Sequence, residues 1–497
     1  MPPFSRLLVA NRGEIAIRVI RACRELGISP IAVHSDADVD ALHVRMADSS
    51  QRIGPPAPVE SYLLIEAIIE AARRSGAEAI HPGYGFLSEN ADFARAVEAV
   101  GLVFVGPPPA TLESLGNKLA ARRGVEAAGV PIVPGTTVAL EVDSAELASL
   151  GYPMMLKAAA GGGGRGMRRV DSAAEVGDAL ASARREALSA FGDGTIYAER
   201  LLAPARHVEV QLLGDRHGRL AVLGERDCSV QRRHQKLVEE SPSPAVDLAS
   251  REALFESARR VAASVDFHSA ATVEFLLDAE RRHYFLEMNT RLQVEHGVTE
   301  LVTGLDLVAW QIRVAAGEPI SDEVADATGR GHAIEVRLYA EDPYDGFRAT
   351  PGRITAWQMP DGPGVRVDAG VEADTDLRPE YDPLLAKLMV HAEDRASAID
   401  RLRRALDETV VGGVQTDAGF LRWLVDDAAF ADGDYDTGLI GERWGVDHPI
   451  EPEDAAMAAT AALSTRLATG AHRDQPSAAT DQGTGWGRVA RREARRR

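Results

Sequence analysis

The first 115 residues alternate short apolar runs with amphipathic helical patterns, and this alternation restricts the fold more than any other feature of the chain. The runs RLLVA, PIAVHS, AEAIHPG and LVFVG predict strands, and helical patterns such as residues 13–26 lie between them. Strands that alternate with helices predict a doubly wound parallel sheet. The loop after the first strand, NRGE, lacks the G-x-G-x-x-G pattern of a dinucleotide site. A purely structural role is therefore the favoured interpretation of this Rossmann-like region.

Two further regions and a tail follow. From about residue 116 to 330 the pattern predicts helices mixed with antiparallel hairpins. A third region, 331–446, begins with the strand-like run GHAIEVRLYAE and ends with the helix-like run ASAIDRLRRALDETV. After residue 446 the composition shifts to Ala, Thr, Ser, Gln and Gly, and the sequence closes on RREARRR. Because these residues include too few apolar side chains to form a core, we expect residues 447–497 to be disordered.

Charge and cysteine content exclude several classes of protein. The net charge of -20 argues against nucleic acid as the main partner, since no region carries a broad basic face. Two distant cysteines, Cys23 and Cys228, predict no disulfide framework and fit a reducing compartment. The N-terminus does not follow the signal-peptide pattern, and no apolar run reaches the ~18 residues that cross a bilayer. We therefore expect a cytoplasmic protein that has no membrane partner.

Lysine is rare in this chain. Lysine and arginine total 55 residues, yet only Lys118, Lys157, Lys236 and Lys387 are lysines. A compact ammonium group and a guanidinium group are not interchangeable where a phosphate or small anion must be bound. Lys118 opens a predicted helix, Lys157 precedes a glycine run and Lys236 ends the segment QRRHQK, so these three are candidates for chemistry. Lys387 lies in the apolar run YDPLLAKLMV, where we expect a structural lysine that snorkels to solvent.

A glycine-rich loop follows the strand-like run YPMMLK. Its sequence, AAAGGGGRGM, allows backbone N–H groups to close on a phosphate chain, with Lys157 at the base of the loop. Glycine runs are often only linkers. The strand-like start MRRV after the loop favours a hairpin flap that covers phosphates.

A second polar segment runs from RHVEVQLL through a turn at GDRHG to RDCSVQRRHQK. Strand alternation places His207, Glu209 and Gln211 on the face opposite Val208 and Val210. A lone strand histidine is usually structural. The run from 231 to 236 concentrates cationic and amide donors, as a nucleotide-phosphate or anion pocket requires. A solvated charged loop is an equal alternative until the scarcity of lysine is considered.

The segment 271–296 predicts a β-hairpin. If its turn centres between residues 280 and 281, Leu277 faces Tyr284 and Glu274 faces Glu287. Opposed like charges repel unless a cation bridges them, and oxygen ligands suit Mg²⁺ that is held jointly with substrate phosphates. The hairpin therefore predicts a magnesium site.

The same strand continues toward further polar residues. The period of two puts Glu287, Asn289 and Arg291 on one face, and Gln293 and Glu295 continue that face if the chain stays extended. The fork of Arg291 suits a carbonate-like oxyanion. The alternative is an amphipathic hairpin with a solvated charged edge, which the complete array disfavours.

These motifs together resemble the biotin carboxylases, ATP-grasp enzymes of the acetyl-CoA, propionyl-CoA and pyruvate carboxylase group. The resemblance runs from about Phe4 to Trp444 and rests on ANRGEIAIR, HPGYGFLSEN, GGGGRGM, ERDCSVQRRHQK, FLEMNTRLQVEH and AEDP. It implies an α/β and α+β fold, with a Rossmann-like N-terminal domain (1–115), a central ATP-grasp domain (116–330, mobile lid about 132–204) and a C-terminal biotin carboxylase domain (331–446). The implied reaction is MgATP-dependent carboxylation of biotin by bicarbonate through carboxyphosphate, the first half-reaction of an acyl-CoA carboxylase.

The resemblance also implies roles for individual residues. For ATP binding it implies Lys118, Lys157, Gly162, Gly163, Gly164, Glu199, Arg200, Leu201, Leu202, His207, Gln231 and His234. For Mg²⁺ or Mn²⁺ it implies Glu274, Glu287 and Asn289, and for bicarbonate Lys236, Arg291, Gln293 and the Val294 amide. Glu295 is implied as the general base on bicarbonate and Arg337 as the group that stabilises the biotin enolate, so Lys236, Arg291, Glu295 and Arg337 form the catalytic set.

Three departures from the family pattern affect the expected site. Ala159 and Ala160 stand where the family often has Ser-Gly, which is expected to stiffen the lid or weaken one phosphate contact. Arg200 replaces a common lysine with little expected effect, because the adenine contact there is mostly through the backbone. Gly297 replaces a usual proline, which is expected to loosen the positioning of Glu295.

The sequence also bears on partners. No lysine follows Lys387, so biotin cannot be attached through the usual Met-Lys-Met motif. We therefore expect biotin as a carrier-bound substrate on a separate biotin carboxyl carrier protein, with a separate carboxyltransferase subunit. The resemblance further suggests a homodimer.

Two alternatives remain. Another ATP-grasp ligase would share the phosphate loop and the metal carboxylates but not the RRHQK and RLQVEH contexts. A catalytically silent ATP-binding subunit is disfavoured because the catalytic set is intact.

Overall fold

The first region forms the predicted parallel sheet in the computed structural model, which describes residues 4–136, 145–159 and 167–444. The strands pair in the order β3-β2-β1-β4-β5, and every pair is parallel. The strands are β1 (Arg6–Val9), β2 (Ser29–Ser35), β3 (Ser49–Gly54), β4 (Ala79–His81) and β5 (Val103–Phe104). The helices are α1 (Gly13–Glu25), α2 (Leu42–Met46), α3 (Ile65–Ser75), α4 (Ala91–Ala99) and α5 (Pro109–Gly116). The sequence pattern missed β3, since four of its six residues are polar.

The N-terminus of α1 is covered by protein, which agrees with the absence of a phosphate fingerprint in this sheet. In dinucleotide-binding folds that helix end receives a pyrophosphate. Here a loop of the third region covers it so closely that a Cβ added at Gly370 would lie 2.7 Å from the amide nitrogen of Glu14. The phosphate position is therefore filled by protein.

The second and third regions share one antiparallel sheet of eight strands, in the order β13-β12-β9-β10-β11-β14-β21-β19. Strands from the two regions meet where β11 pairs with β14. The strands of this sheet are β9 (Arg206–Gly214), β10 (Leu220–Arg232), β11 (Gln235–Ser241), β12 (Ser269–Leu277), β13 (His283–Asn289), β14 (His332–Tyr339), β19 (Val365–Ala369) and β21 (Leu384–Ala392). The predicted third region is thus continuous with the site-bearing strands.

Helices and short strands surround this sheet. The helices are α6 (Lys118–Ala127), α7 (Ala145–Leu150), α8 (Val176–Phe191), α9 (Leu248–Ala263), α10 (His296–Thr303), α11 (Leu307–Ala315), α12 (Asp322–Ala325), α13 (Arg395–Glu408), α14 (Ala418–Asp426), α15 (Ala428–Asp432) and α16 (Leu439–Arg443). The short strands are β15 (Glu341–Asp342), β16 (Arg348–Ala349), β17 (Gly352–Arg353), β18 (Ala356–Gln358), β20 (Asp376–Leu377) and β22 (Val410–Gly412).

A separate small sheet lies within the segment expected to be a lid. Strands β6 (Met154–Ala158), β7 (Arg168–Val170) and β8 (Ile196–Arg200) pair in the order β7-β6-β8. Their apolar side chains form a core of their own with α8. The predicted hairpin between YPMMLK and MRRV is confirmed, because β6 and β7 are antiparallel. The predicted ATP residues Gly162, Gly163 and Gly164 lie outside the described residues.

The β12–β13 hairpin confirms one predicted pair and corrects another. Glu274 lies opposite Glu287 as predicted, but Leu277 faces His283 rather than Tyr284. The turn is one residue shorter than expected, and a register shift beside Glu274 restores the predicted pairing there.

The strand also ends earlier than the array of polar residues. It stops at Asn289, so the chain does not stay extended to Glu295, which instead precedes α10.

The described part of the chain contains no helix that is long and apolar enough to span a membrane. Residues 447–497, expected to be disordered, lie outside the described part.

Candidate active site

Lys236 lies at the centre of a buried acidic cluster. Its Nζ atom is 2.7 Å from Glu209 Oε2, 3.1 Å from Glu274 Oε1 and 2.7 Å from Glu295 Oε1. All three carboxylates are buried. Burial alone would lower the pKa of Lys236, but the neighbouring acidic groups raise it well above its usual value. Lys236 is therefore held as a cation within the site.

A tight turn delivers Lys236 to this position. The turn between β10 and β11 has two residues at its tip, Arg233 and His234, with φ values of 50° and 68°. Two-residue hairpins require such positive φ values, which are costly for residues other than glycine. The turn places Gln231 directly opposite Lys236. Two donors of the run 231–236 thus lie side by side, and their role in an anion pocket stays a prediction.

The predicted polar face of β9 is also confirmed. His207, Glu209 and Gln211 alternate with two valines that lie in the core. His207 Nε2 lies 2.7 Å from Glu274 Oε2. The fully buried Arg226 donates to Glu209 Oε1 at 2.6 Å and to Gln211 Oε1 at 2.7 Å. Residues of this polar face, together with Arg226, thus hold Glu209 and Glu274 of the acidic cluster in position.

Oxygen ligands for a divalent cation converge on the β12–β13 hairpin. Glu274 and Glu287 lie opposite each other, and Asn289 Nδ2 donates to Glu274 Oε1 at 2.7 Å. Lys118, the first residue of α6, brings its Nζ within 3.8 Å of Glu287 Oε2. Two carboxylates and an amide oxygen form a donor set that fits Mg²⁺.

Arg291 follows the hairpin and is oriented from three sides. Its Nη1 donates to Gln293 Oε1 at 2.8 Å, and its Nε donates to Glu89 Oε2 at 3.0 Å. A longer contact of 3.5 Å joins Nη2 to Asn289 Oδ1. Glu89 belongs to the first region, so that region supplies a side chain to the cluster, contrary to the purely structural interpretation.

Glu295 lies between two cations. Oε1 accepts from Lys236, and Oε2 accepts from Arg337 Nη2 at 3.0 Å. Burial would raise the pKa of Glu295, but Lys236 and Arg337 lower it well below its usual value. The carboxylate is therefore ionised and has both oxygens fixed in place.

The expected nucleotide residues lie on the small sheet and beside it. Lys157 on β6 and Arg122 on α6 both form ion pairs with the buried Glu199. Arg200 is exposed at the end of β8, and Leu201 and Leu202 follow it, partly buried. The side chain of Glu199 thus forms an ion pair with Lys157, whereas the sequence predicted a contact of the Glu199 backbone only.

The remaining expected nucleotide residues border the acidic cluster. Gln231 Nε2 lies 3.4 Å from His207 Nδ1. His234 is exposed at the tip of its turn. Gln231 and His207 thus connect the turn to Glu274.

Lys387 does not snorkel to solvent, and that prediction was wrong. Its side chain is fully buried on β21, with Nζ 3.4 Å from Glu14 Oε2 and 3.9 Å from Asp368 Oδ2. Nζ also donates to the carbonyl oxygen of Val294 at 2.7 Å. The apolar context of Lys387 gave no sign of these partners, which come from other parts of the chain.

At two of the positions that depart from the family pattern, Gly297 and Ala159, the residue is closely packed against its neighbours. A Cβ added at Gly297 would lie 2.2 Å from Met389 Sδ, so methionine occupies the space beside this turn. Ala159 is buried against Leu119 and Tyr197, and its carbonyl oxygen accepts from the amide of Lys118 at 3.0 Å. Ala160 lies outside the described residues.

Comparisons with known proteins match this geometry. The family model described as biotin carboxylase, N-terminal domain, matches residues 3–112, and that of the biotin carboxylase C-terminal domain matches 335–442. Between them, the ATP-binding domain of the carbamoyl-phosphate synthase L chain matches 117–323. A protein named biotin carboxylase from Halalkalibacterium halodurans is 48% identical over 440 residues, which are 88% of this chain and 97% of that protein. The chain belongs to the biotin carboxylase family.

Other biotin carboxylase relatives agree. A protein named biotin carboxylase from a Nostoc species is 49% identical over 442 residues, 88% of this chain and 99% of that protein. The biotin carboxylase domain dimer of Hydrogenobacter thermophilus 2-oxoglutarate carboxylase, solved with MgADP, ADP and bicarbonate, has a TM-score of 0.87 at 43% identity and covers 90% of this chain and 99% of its own. The β,γ-ATP complex of Campylobacter jejuni biotin carboxylase has a TM-score of 0.86 at 43% identity, covering 88% and 99%.

Sequence reasoning missed several residues of this biotin carboxylase cluster. Glu89 lies in HPGYGFLSEN and Arg226 in ERDCSVQRRHQK, two of the motifs that carry the family resemblance. Their membership of those motifs was the available signal. Glu239 and Glu335, which lie opposite each other on β11 and β14, carried no such signal.

Proposed function

We propose that this chain carboxylates biotin on a separate carrier protein, using MgATP and bicarbonate, as the first half-reaction of an acyl-CoA carboxylase. The observation that carries the proposal is the joint contact of Glu295 with Lys236 and Arg337, with Arg291 nearby in the same cluster. This arrangement provides a fixed base between cations, as bicarbonate activation requires. Residues 1–115, 116–330 and 331–446 are the proposed domains, with residues about 132–204 as the lid.

Bicarbonate binding is assigned to Lys236, Arg291, Gln293 and the Val294 amide. Gln293 orients the Arg291 guanidinium, whose planar fork matches a carbonate-like oxyanion. Glu295 takes the bicarbonate proton, so that a bicarbonate oxygen attacks the γ-phosphorus and ADP leaves. Carboxyphosphate is the product of this step.

ATP binding is assigned to Lys118, Lys157, His207, Gln231 and His234, with Glu199 to Leu202 at the adenine and the glycines 162–164 over the phosphates. Glu274, Glu287 and Asn289 would hold Mg²⁺, which neutralises charge on the phosphoryl oxygens when it is bound. Lys157 is positioned for its phosphate by Glu199.

Biotin carboxylation follows when carboxyphosphate breaks down to CO₂ and phosphate. The phosphate takes the proton of the ureido nitrogen, and that nitrogen attacks CO₂. Arg337 stabilises the enolate oxygen of biotin, a charge that develops only as this proton leaves. Its guanidinium is already oriented by Glu295.

The assembly is proposed from the family. Biotin carboxylases act with carrier and carboxyltransferase partners, and the dimeric Hydrogenobacter domain has the same fold. A separate carrier, a separate carboxyltransferase and a homodimer are the corresponding proposals for this chain.

Bicarbonate-dependent ATP cleavage in an Arg291→Ala variant tests the site. Loss of the guanidinium should lower the rate by about a hundredfold or more, as removal of an oxyanion donor does elsewhere. The matched control is Arg282→Ala, which removes an exposed guanidinium from the turn of the same hairpin. Retained turnover in Arg291→Ala, or an equal loss in the control, contradicts the assignment.

A further inference from the structure

Two buried carboxyl groups outside the proposed mechanism face each other beside the site. Glu239 on β11 and Glu335 on β14 are directly opposed in the register of the eight-stranded sheet. Both are 0% exposed. Directly opposed side chains of antiparallel strands have Cβ atoms about 5 Å apart, so two ionised carboxylates would repel strongly here.

The neighbouring carboxylates are each matched by a cation. Glu209 contacts Arg226 and Lys236, and Glu295 contacts Lys236 and Arg337. Glu14 and Asp368 share Lys387, and Arg366 also pairs with Asp368. Glu239 forms an ion pair with Nη2 of Arg337, the same nitrogen that donates to Glu295.

Glu335 differs from these carboxylates because it has no ion pair among the residues that the structure describes, whereas Glu239 pairs with Arg337. Neither oxygen of Glu335 has a hydrogen-bond partner in that part of the chain, and the same holds for Glu239. The neighbour of Glu335 in the register of β21 is the apolar Met389, and from α10 a Cβ added at Gly297 would lie 3.3 Å from Glu335 Oε2. A carboxyl group in such surroundings avoids the cost of a buried, unpaired charge by taking up a proton.

We propose that Glu335 remains protonated at neutral pH, so that the pair carries one negative charge, which lies on Glu239 and positions Arg337 for biotin. The role assigned to Arg337 rests on the proposed function, whereas the protonation of Glu335 does not. Glu239 is then a positioning residue that acts through the guanidinium of Arg337.

The charged groups around Glu335 agree with this assignment. Burial raises the pKa of Glu335 well above its usual value; Lys387 and Arg337 oppose the rise, and Glu239 and Glu295 add to it. Burial also raises the pKa of Glu239, but Arg337 forms an ion pair with this carboxyl group and opposes the rise. The carboxyl group with the closer cation is thus the one that ionises first.

A neutral Glu335 limits the number of negatively charged carboxylates around Arg337. Arg337 already contacts two carboxylates, while its Nε has no hydrogen-bond partner in the described structure. A third anion beside it would hold the guanidinium among carboxylates and weaken its interaction with the enolate oxygen. One proton on Glu335 keeps that interaction available.

Infrared spectroscopy of the full chain tests the protonation directly. The carbonyl band of a protonated carboxylic acid should be present at neutral pH in the wild type and reduced in Glu335→Gln. Glu225→Gln is the matched control, because Glu225 is buried in the same sheet but is paired with Arg251. A protonated-acid band of equal intensity in the wild type and Glu335→Gln overturns the proposal.

Kinetics test the positioning role. Glu335→Gln mimics the protonated acid and should keep the rate of biotin-dependent ATP cleavage within about twofold of the wild type at neutral pH. Glu239→Gln should lower that rate by at least about tenfold with the KM for ATP unchanged, and Glu239→Asp should restore part of it. Thermal unfolding identifies a variant that fails to fold, and Glu239→Asp then decides the question, since it keeps the charge.

The outcomes separate this proposal from the function it rests on. Wild-type rates in Glu239→Gln overturn the positioning role. A wild type that shows no bicarbonate-dependent ATP cleavage overturns the proposed function, and with it the role of Arg337 in the reaction. In that case the infrared comparison still decides whether Glu335 is protonated.

Discussion

Replacement of Gly297 by alanine should damage the turn that carries the proposed base. A Cβ at this position would lie 2.2 Å from Met389 Sδ, a separation that packed atoms do not tolerate. Met389 is fully buried on β21, so its sulfur has little room to move. Overpacking of this kind costs about 1–3 kcal/mol, against which the helix preference of alanine over glycine returns about 1 kcal/mol. We expect a net loss of up to about 2 kcal/mol in the free energy of unfolding.

The substitution should also lower the rate of bicarbonate-dependent ATP cleavage, by more than the loss of folding stability alone would cause. Gly297 is two residues after Glu295, so relief of the contact by movement of α10 would displace the base. A displacement of about 1 Å can cost about a hundredfold in rate. Urea unfolding and bicarbonate-dependent ATP cleavage measure the two effects.

Truncation of the methionine provides the control. In the double variant Gly297→Ala/Met389→Ala, the sulfur is absent, so the clash should disappear and the base should regain its position. The coupling energy between the two sites should then be about 0.5–3 kcal/mol. A Gly297→Ala protein as stable and as active as the wild type refutes the reasoning, as does strict additivity of the two substitutions.

Two further predictions concern stability and substrate affinity. Burial opposes ionisation of Glu240, but hydrogen bonds from His332 and Arg395 lower its pKa to about 2. The contribution of the ionised Glu240 to the free energy of unfolding is therefore fully present above the unfolded pKa of ~4.3 and is lost as the pH falls toward 2. Glu240→Gln should therefore cost about 3 kcal/mol at pH 7, with the difference shrinking between about pH 5 and pH 2 in urea titrations; a constant difference would contradict this. Glu89→Gln should raise the KM for bicarbonate by up to about fivefold and make it less sensitive to salt, because its contact with Arg291 is partly exposed; an unchanged KM would show that Glu89 does not orient Arg291.

The parts predicted from sequence are those with local causes. The parallel sheet follows from alternation between strand and helix patterns, and the polar face of β9 follows from a period of two. The opposition of Glu274 and Glu287 was also predicted, although the turn length on which it was based was wrong by one residue. A register shift beside Glu274 compensated for that error.

The parts that could not be predicted depend on contacts between distant segments. Lys387 reads as a snorkelling residue until Glu14 and Asp368 are seen to surround it. The pairing of β11 with β14 joins residues almost one hundred positions apart, and it alone brings Glu239 opposite Glu335. Arg291 and Glu89 are likewise distant in sequence. No periodicity or motif spacing encodes such partners.

Phosphate release from MgATP, measured with and without bicarbonate and with and without free biotin, tests the central claim most directly. We expect release that requires bicarbonate and is stimulated by biotin. Bicarbonate-dependent release whose rate is unchanged by both free biotin and a biotinylated carrier protein would contradict the proposal that biotin is the acceptor. ATP binding without any release would contradict the catalytic assignment itself.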